Sequence, residues 1–202
     1  MKVAVAKGRI EKAARQFFVE RDLPVWPEKR GRELTVKAGD HEFIFVKGDD
    51  VYKYVMHGAA DVGIVGGDIL REKTPGVLEV VDLPFGRCRM AVCGPKVRRN
   101  GTKKLKVASK YPNIAISHFA SKRQNVEVIA LNGSVELAPL TGLADCIVDI
   151  VETGATLAAN DLEEYETIFS INAKFITSET ALAEQPDELK AWIRKLSQEE
   201  NA

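Results

Sequence analysis

Ala144-Asp145-Cys146-Ile147-Val148-Asp149-Ile150-Val151-Glu152-Thr153-Gly154-Ala155-Thr156-Leu157 is the stretch whose reading sets the architecture of the chain. Cys146 to Val151 is a short apolar run rich in β-branched residues, the pattern of a buried strand. Glu152-Thr153-Gly154 reads as a turn, and the residues from Ala155 onward are good helix formers. A strand that feeds a turn and then a helix is one half of a parallel α/β unit. The same turn can hold an anion, because the first amides of a helix lack internal partners and the helix dipole adds partial positive charge there. Thr153 and Thr156 add hydroxyl donors, and Gly154 lets the backbone approach a phosphate closely. Asp149 and Glu152 would repel a second phosphate but suit a sugar diol. Two readings stand side by side: a sugar-phosphate grip, or an ordinary capped turn between strand and helix.

The stretch has an echo earlier in the chain. Gly58-Ala59-Ala60-Asp61-Val62-Gly63-Ile64-Val65 resembles Gly142-Leu143-Ala144-Asp145-Cys146-Ile147-Val148-Asp149 in having a helix-ending glycine, two apolar residues, an aspartate and a buried strand. This internal pseudo-repeat implies two α/β lobes of similar plan. Elsewhere strands and helices alternate. Lys2 to Ala6 is a strand, and Ile10 to Arg21 an amphipathic helix. Leu34 to Val36 and Glu42 to Val46 form a hairpin around Ala38-Gly39-Asp40. Lys47-Gly48-Asp49-Asp50 caps a helix from Val51 to His57, and Asp68 is placed to cap Ile69 to Lys73. Leu78 to Leu83, Cys88 to Cys93, Leu105 to Ser109 and Val126 to Leu131 read as strands. Pro112 to Lys122 reads as a helix, and Asn132-Gly133-Ser134 as the cap of a short one from Val135 to Leu140. Short strands at Ile168 to Ser170 and Lys174 to Ile176 and a helix from Asp187 to Gln198 complete the pattern. The expected class is α/β, with mixed, mostly parallel sheets, two lobes and a cleft between them. Ligands in such sheets bind beyond the carboxyl ends of the strands. Lys7-Gly8-Arg9, Gly66-Gly67-Asp68 and Glu152-Thr153-Gly154 all fall there. Lys7 and Arg9 around Gly8 make an anion grip or a solvated loop; the residues alone favour neither.

Composition narrows the function classes. The 202 residues carry 29 basic and 29 acidic side chains, so no global field draws in nucleic acid or an anionic membrane, and anion binding must be local. The cationic run Lys96 to Lys104, which follows Gly94-Pro95, has no interleaved aromatics and reads as a solvated loop at a lobe boundary rather than a nucleic-acid patch. No apolar run approaches the roughly 18 residues needed to cross a bilayer, and no leader is evident, so a cytoplasmic location is expected. Cys88, Cys93 and Cys146 lack metal-ligand spacing and suit reduced thiols. His41, His57 and His118 are scattered and read as structural or surface residues rather than ligands. A dinucleotide site is disfavoured, since no Gly-x-Gly-x-x-Gly follows the first strand.

Lys7-Gly8-Arg9, Gly58 to Gly66, Asp82-Leu83, Phe85-Gly86, Cys88-Arg89, and the block from Leu131-Asn132-Gly133-Ser134 through Glu152 to Leu157 together resemble the ATP phosphoribosyltransferase family of histidine biosynthesis. The likeness runs in order from about residue 2 to about residue 177, and the chain ends soon after, as in the short form without a C-terminal regulatory domain. The resemblance implies two periplasmic-binding-protein-like (type II) lobes. Residues 1–93 plus 172–202 would form a discontinuous first lobe, and 94–171 a second carrying the phosphoribosyl pyrophosphate loop.

The resemblance also implies the chemistry. Asp149, Glu152, Thr153, Gly154, Ala155, Thr156 and Leu157 would hold the phosphoribose of phosphoribosyl pyrophosphate. Gly8, Gly66, Asp68 and Glu136 would contact ATP, whose adenine N1 attacks the anomeric carbon. Arg32, Lys47, Lys7 and Arg9 would act on the departing pyrophosphate, together with Mg2+ held by that pyrophosphate; no metal ligand of the chain itself is assigned. No covalent nucleophile is required. The implied partner is a separate regulatory subunit similar to histidyl-tRNA synthetase, bound by a homodimer within a hetero-oligomer. Four positions depart from the family pattern: Ala6 stands where proline is expected, Lys47 and Lys174 where arginine is common, and Gly67 where lysine is common. Lys47 keeps the charge but loses the bidentate fork of arginine. The alternative function is a non-catalytic two-lobed protein that binds a small anion and releases it unchanged.

Overall fold

The structure is a computed structural model that describes residues 1–28, 31, 33–97 and 104–197. Arg30, Arg32 and most of the cationic run after Pro95 lie outside the described residues. In chain order the elements are β1 (Lys2–Ala6), α1 (Arg9–Glu20), β2 (Thr35–Ala38), β3 (His41–Val46), α2 (Gly48–Met56), β4 (Val62–Gly66), α3 (Gly67–Lys73), β5 (Leu78–Asp82) and β6 (Cys88–Pro95). They continue as β7 (Leu105–Ser109), α4 (Pro112–Ser121), β8 (Val126–Ala130), α5 (Leu137–Leu140), β9 (Cys146–Val151), α6 (Ala155–Ala159), β10 (Leu162–Ile171), β11 (Ala173–Thr177), α7 (Glu179–Glu184) and α8 (Pro186–Ser197).

The chain divides into two compact units, one of Met1–Leu70, Thr74–Gly86 and Asn172–Ala202, the other of Arg71–Lys73 and Arg87–Ile171. The first unit is built on a six-stranded sheet of order β2-β3-β1-β4-β11-β5, the second on a five-stranded sheet of order β10-β6-β9-β7-β8. In the first, β1 pairs in parallel with β3 and β4, whereas β2, β11 and β5 join antiparallel. In the second, β7 pairs in parallel with β8 and β9, whereas β6 and β10 join antiparallel. Parallel pairing is thus confined to the strands linked by helical crossovers. The strands on either side of the passages between units, β5 and β6 outward and β10 and β11 on the return, run antiparallel to their neighbours. The outward passage lies at Gly86 to Arg87, so all of β6 belongs to the second unit. The expected boundary at residues 93 and 94 cuts that strand, because the change of composition comes after Gly94-Pro95 while the change of partner sheet comes before β6.

The pseudo-repeat is a shared piece of hydrogen-bond geometry. After α2, Gly58 adopts φ +70°, and the amides of Ala59 and Ala60 both donate to Tyr54 O. After α5, Gly142 adopts φ +75°, and the amides of Leu143 and Ala144 both donate to Ala138 O. Asp61 then accepts from Lys2 N at 2.6 Å while its own amide donates to Lys2 O. Asp145 repeats this with Lys106 N at 2.8 Å and Lys106 O. Each aspartate therefore fixes the start of β4 or β9 against the neighbouring parallel strand, which sets where the carboxyl ends of these strands fall.

Each unit has its own apolar core. In the first, Trp26 packs edge to face with Phe18 and Phe45 and lies tilted against Phe43, and Trp192 of α8 closes over Phe18 and stacks on Phe175. Trp26, Phe18, Phe43, Phe45 and Phe175 rank among the largest fully buried side chains. Burial of such rings dominates core stabilisation, with a further ~0.5–1.5 kcal/mol for each well-placed aromatic pair. In the second, Ala91, Cys93, Ala108, Ile147, Val151, Leu157 and Leu162 form a cluster with Val135 and Ala138 of the α5 region. This cluster is the floor beneath the turn that follows β9.

Candidate functional site

The turn after β9 is built from the bottom up by this floor. Val151 and Leu157 are buried anchors on either side of an exposed Glu152-Thr153 and a half-buried Gly154. Between two anchored ends the chain must reverse within five residues, and Gly154 does so with φ +80°, ψ 3°, a left-handed conformation costly for any residue with a Cβ. Gly154 is the N-cap of α6 and supplies no side-chain acceptor. The amide of Ala155 donates to Thr153 Oγ1 at 3.3 Å, and that of Ala158 closes the first helical bond to Gly154 O. The amides of Thr156 and Leu157 have no protein acceptor among the described residues. An unsatisfied N–H in the first turn is the donor an anion takes up. Helix α6 has only five residues, so its dipole is short and the individual amides and hydroxyls carry the attraction.

These groups border a cavity of about 250 Å³, lined by every residue from Asp149 to Leu157 together with Cys93, Glu136 and Ile147. The seven residues expected to hold the phosphoribose are therefore brought together. Glu136, expected on ATP, joins them. It is itself the N-cap of α5 in helical conformation, so Asn132-Gly133-Ser134 do not cap that helix as the sequence suggests. Asp149 is half-buried, with Oδ1 accepting from the Ile150 amide at 2.8 Å. The Cys93 thiol is pushed up to about 12, first by burial and then by the charges of Glu164 and Asp149. It stays protonated at neutral pH, which removes the thiol in this wall as a nucleophile.

The other candidates lie in the first unit. Lys7-Gly8-Arg9 follows β1, Lys47 follows β3, and Gly66-Gly67-Asp68 ends β4. Because Ala6 pairs with Val46 and Val5 with Ile64, the three turns sit at the same end of three adjacent parallel strands. Gly8 adopts φ +91° and its amide meets Glu11 Oε2 at 3.4 Å. Lys7 N donates to Val46 O at 2.9 Å, so the turn is pinned while the Lys7 side chain is exposed. Lys47 is exposed and is the N-cap residue of α2, with Asp49 and Asp50 in the first turn.

Asp68 is buried and lies one residue inside α3, whose N-cap is Gly66, so it does not cap the helix as expected. Its Oδ1 occupies the place a Cβ on Gly66 would take, so a side chain there would displace the Asp68 carboxylate. Lys174, on β11, pairs with Asp82 and sits 3.4 Å from Glu79 Oε2. Burial pulls its pKa down, but these two carboxylates outweigh burial and raise it. Arg32 lies outside the described residues. Among the described residues no group of three or more His, Cys, Asp and Glu side chains could hold a metal ion. No helix among them is long and apolar enough to cross a membrane.

A family model described as HisG: ATP phosphoribosyltransferase matches residues 47–198. The ATP phosphoribosyltransferase of Streptococcus thermophilus is 44% identical over 198 residues, covering 96% of this chain and 91% of the relative. That of Alkaliphilus metalliredigens is 43% identical over 202 residues, covering 98% and 97%. Among solved structures, the ATP phosphoribosyl transferase (HisG:HisZ) complex from Thermotoga maritima matches with a TM-score of 0.83 at 33% identity, over 97% of this chain and 96% of that one. The periplasmic aliphatic sulphonate binding protein SsuA from Escherichia coli matches with a TM-score of 0.63 at 12% identity, over 98% and 71%, a likeness of fold alone.

Proposed function

Because the chain belongs to the ATP phosphoribosyltransferase family, we propose that it transfers the phosphoribosyl group of phosphoribosyl pyrophosphate to N1 of ATP, and that the Asp149 to Leu157 turn holds the phosphoribosyl end. The C–N bond to adenine N1 forms as the anomeric C–O bond to pyrophosphate breaks, giving phosphoribosyl-ATP and pyrophosphate, the first step of histidine biosynthesis. The two type II lobes are the scaffold on which this chemistry is carried. One observation carries the site reading: the cavity that pairs the open amides of Thr156 and Leu157 with the carboxylates of Asp149, Glu152 and Glu136. Amides and the hydroxyls of Thr153 and Thr156 suit the 5′-phosphate. Carboxylates suit the ribose hydroxyls and favour the positive charge that develops on the sugar as the bond breaks.

Lys7, Arg9, Arg32 and Lys47 are assigned to the leaving pyrophosphate, and Gly8, Gly66, Asp68 and Glu136 to ATP. Catalysis is then positioning plus electrostatics, with no covalent intermediate. Magnesium suits this donor set only as a substrate-borne ion. The oxygens of the substrate pyrophosphate would hold Mg2+, and no carboxylate of the chain is assigned to it. When bound it neutralises charge on the pyrophosphate. The regulatory partner is a HisZ-type subunit, by analogy with the Thermotoga maritima complex, bound by a homodimer of this chain. The cytoplasm is the proposed location.

The test is turnover. The full chain, assayed with its regulatory subunit, ATP, phosphoribosyl pyrophosphate and Mg2+, is expected to form phosphoribosyl-ATP, read by its ultraviolet absorbance. Ligands bound and released unchanged would establish the two-lobed binding protein instead.

A further inference from the structure

Arg89 ties the base of this turn to the rest of its sheet. It stands on β6, with Val151 of β9 as its Cα partner on one side and Ser170 of β10 on the other. Its Nε donates to Glu164 Oε2 at 2.7 Å and its Nη2 lies 2.6 Å from the same oxygen. The remaining arm, Nη1, donates to Glu152 O at 3.2 Å. Glu164 is aimed in turn by Thr167, whose hydroxyl donates to Oε1. All of these residues belong to the second unit.

The geometry points to Arg89 as a positioning residue for phosphoribosyl pyrophosphate, acting through the Glu152 carbonyl; the inference rests on the assignment of the Asp149 to Leu157 turn to that substrate. Glu152 is the first residue beyond β9, and the peptide group that carries its carbonyl also carries the amide of Thr153. Holding the oxygen toward Arg89 therefore fixes the opposite direction of the Thr153 N–H and the entry angle into Gly154. Arg89 does not line the cavity, so it does not act by touching the ligand. The guanidinium is suited to this task because its planar fork can occupy one carboxylate and still aim a third N–H at the carbonyl, which an ammonium cannot do in the same geometry. Glu164 anchors the fork: its carboxyl is held below the usual carboxylate range, first by the hydrogen bond from Arg89, with burial opposing and Thr167 assisting.

Calorimetry on the full chain separates this role from strand adhesion. Arg89→Lys keeps a cation beside Glu164 but loses the bond to Glu152 O; Arg89→Met loses both. Each is expected to weaken phosphoribosyl pyrophosphate binding about tenfold, the equivalent of one net hydrogen bond, with ATP binding changed less than about twofold. In the steady state with the regulatory subunit, KM for phosphoribosyl pyrophosphate rises while KM for ATP holds. Amide hydrogen exchange at Thr153 to Ala155 quickens in Arg89→Lys, where the fold is retained. The inference is overturned if Arg89→Lys binds phosphoribosyl pyrophosphate as wild type does while Thr156→Ala does not, or if it loses both ligands equally. If Thr156→Ala also leaves phosphoribosyl pyrophosphate binding intact, the assignment of the turn itself is what fails.

Discussion

Two neighbouring strand-to-helix turns in the second unit have the same plan and opposite fates. β7 and β9 are adjacent and parallel, and each ends in a turn that opens into a helix, α4 or α6. At α4 every first-turn donor is used within the protein. Pro112, at the first helical position, has none to offer. Asn113 N and Ile114 N donate to Glu72 Oε1 and Oε2 at 3.1 and 3.0 Å, and Ala115 N reaches Tyr111 O. Asn113 Nδ2 donates back to Glu72 O, and Glu72 is only 2% exposed. At α6 the cap is a glycine, the Ala155 amide meets the Thr153 hydroxyl, and the amides of Thr156 and Leu157, which border a cavity, have no protein acceptor among the described residues. The Glu72 carboxylate takes up the amides at the ten-residue helix, whereas among the described residues no carboxylate takes up those of Thr156 and Leu157 at the five-residue one.

The contrast can be broken from either side. Gly154→Val forces a β-branched residue into the left-handed region, at a cost of about 1–3 kcal/mol, and narrows the mouth of the turn. It is expected to weaken phosphoribosyl pyrophosphate binding by one to two orders of magnitude, on the order of that strain. Calorimetry with ATP as the control ligand checks this. Glu72→Ala leaves the buried Ile114 amide and the part-buried Asn113 amide without acceptors, and should lower unfolding free energy by about 2 kcal/mol in urea titration. Its effect on phosphoribosyl pyrophosphate affinity should stay within about twofold, since the two turns share no acceptor. Thr156→Ala removes one hydroxyl from the open turn and should cost about 1 kcal/mol of phosphoribosyl pyrophosphate binding, with stability unchanged.

The smallest effect concerns the Arg89–Glu164 pair that steadies the open turn. The folded pKa of Glu164 is depressed, so its stabilisation is complete above the ordinary carboxylate range and is lost as pH falls through the lower folded value. Between roughly pH 5 and pH 3 the melting temperature should therefore fall more steeply for wild type than for Glu164→Gln. The difference is expected to be small because the pair is partly exposed.

The open turn was legible in the sequence because its information is local. β9 matches its expected bounds, and Gly154 with two threonines announces both the reversal and the donors. The repeat was legible for the same reason, since glycine, aspartate and a strand lie within eight residues. The closed turn was not. Glu72 comes 41 residues before Asn113, and nothing in its surroundings marks it as a cap. Arg89 likewise gains meaning only from the order β10-β6-β9, which places it between Glu152 and Glu164. The first half of β10 was hidden by Glu163, Glu164 and Glu166, residues poor in β propensity that nevertheless suit an edge strand. Helix α7 was missed although Ser178, whose hydroxyl accepts from Ala181 N at 3.1 Å, is an ordinary N-cap signal. The lobe boundary was misplaced because the change of composition after Gly94-Pro95 falls within the second unit, while the crossing at Gly86 to Arg87 carries none.

Amide hydrogen exchange of the full chain with and without phosphoribosyl pyrophosphate tests the central claim most directly, because it reads both turns in one experiment. The account expects the ligand to slow exchange at Thr153 to Leu157 and to leave Asn113 to Ala115, already bonded within the protein, as they were. Unchanged exchange at Thr153 to Leu157 under saturating ligand, or protection at the start of α4 in its place, would contradict it.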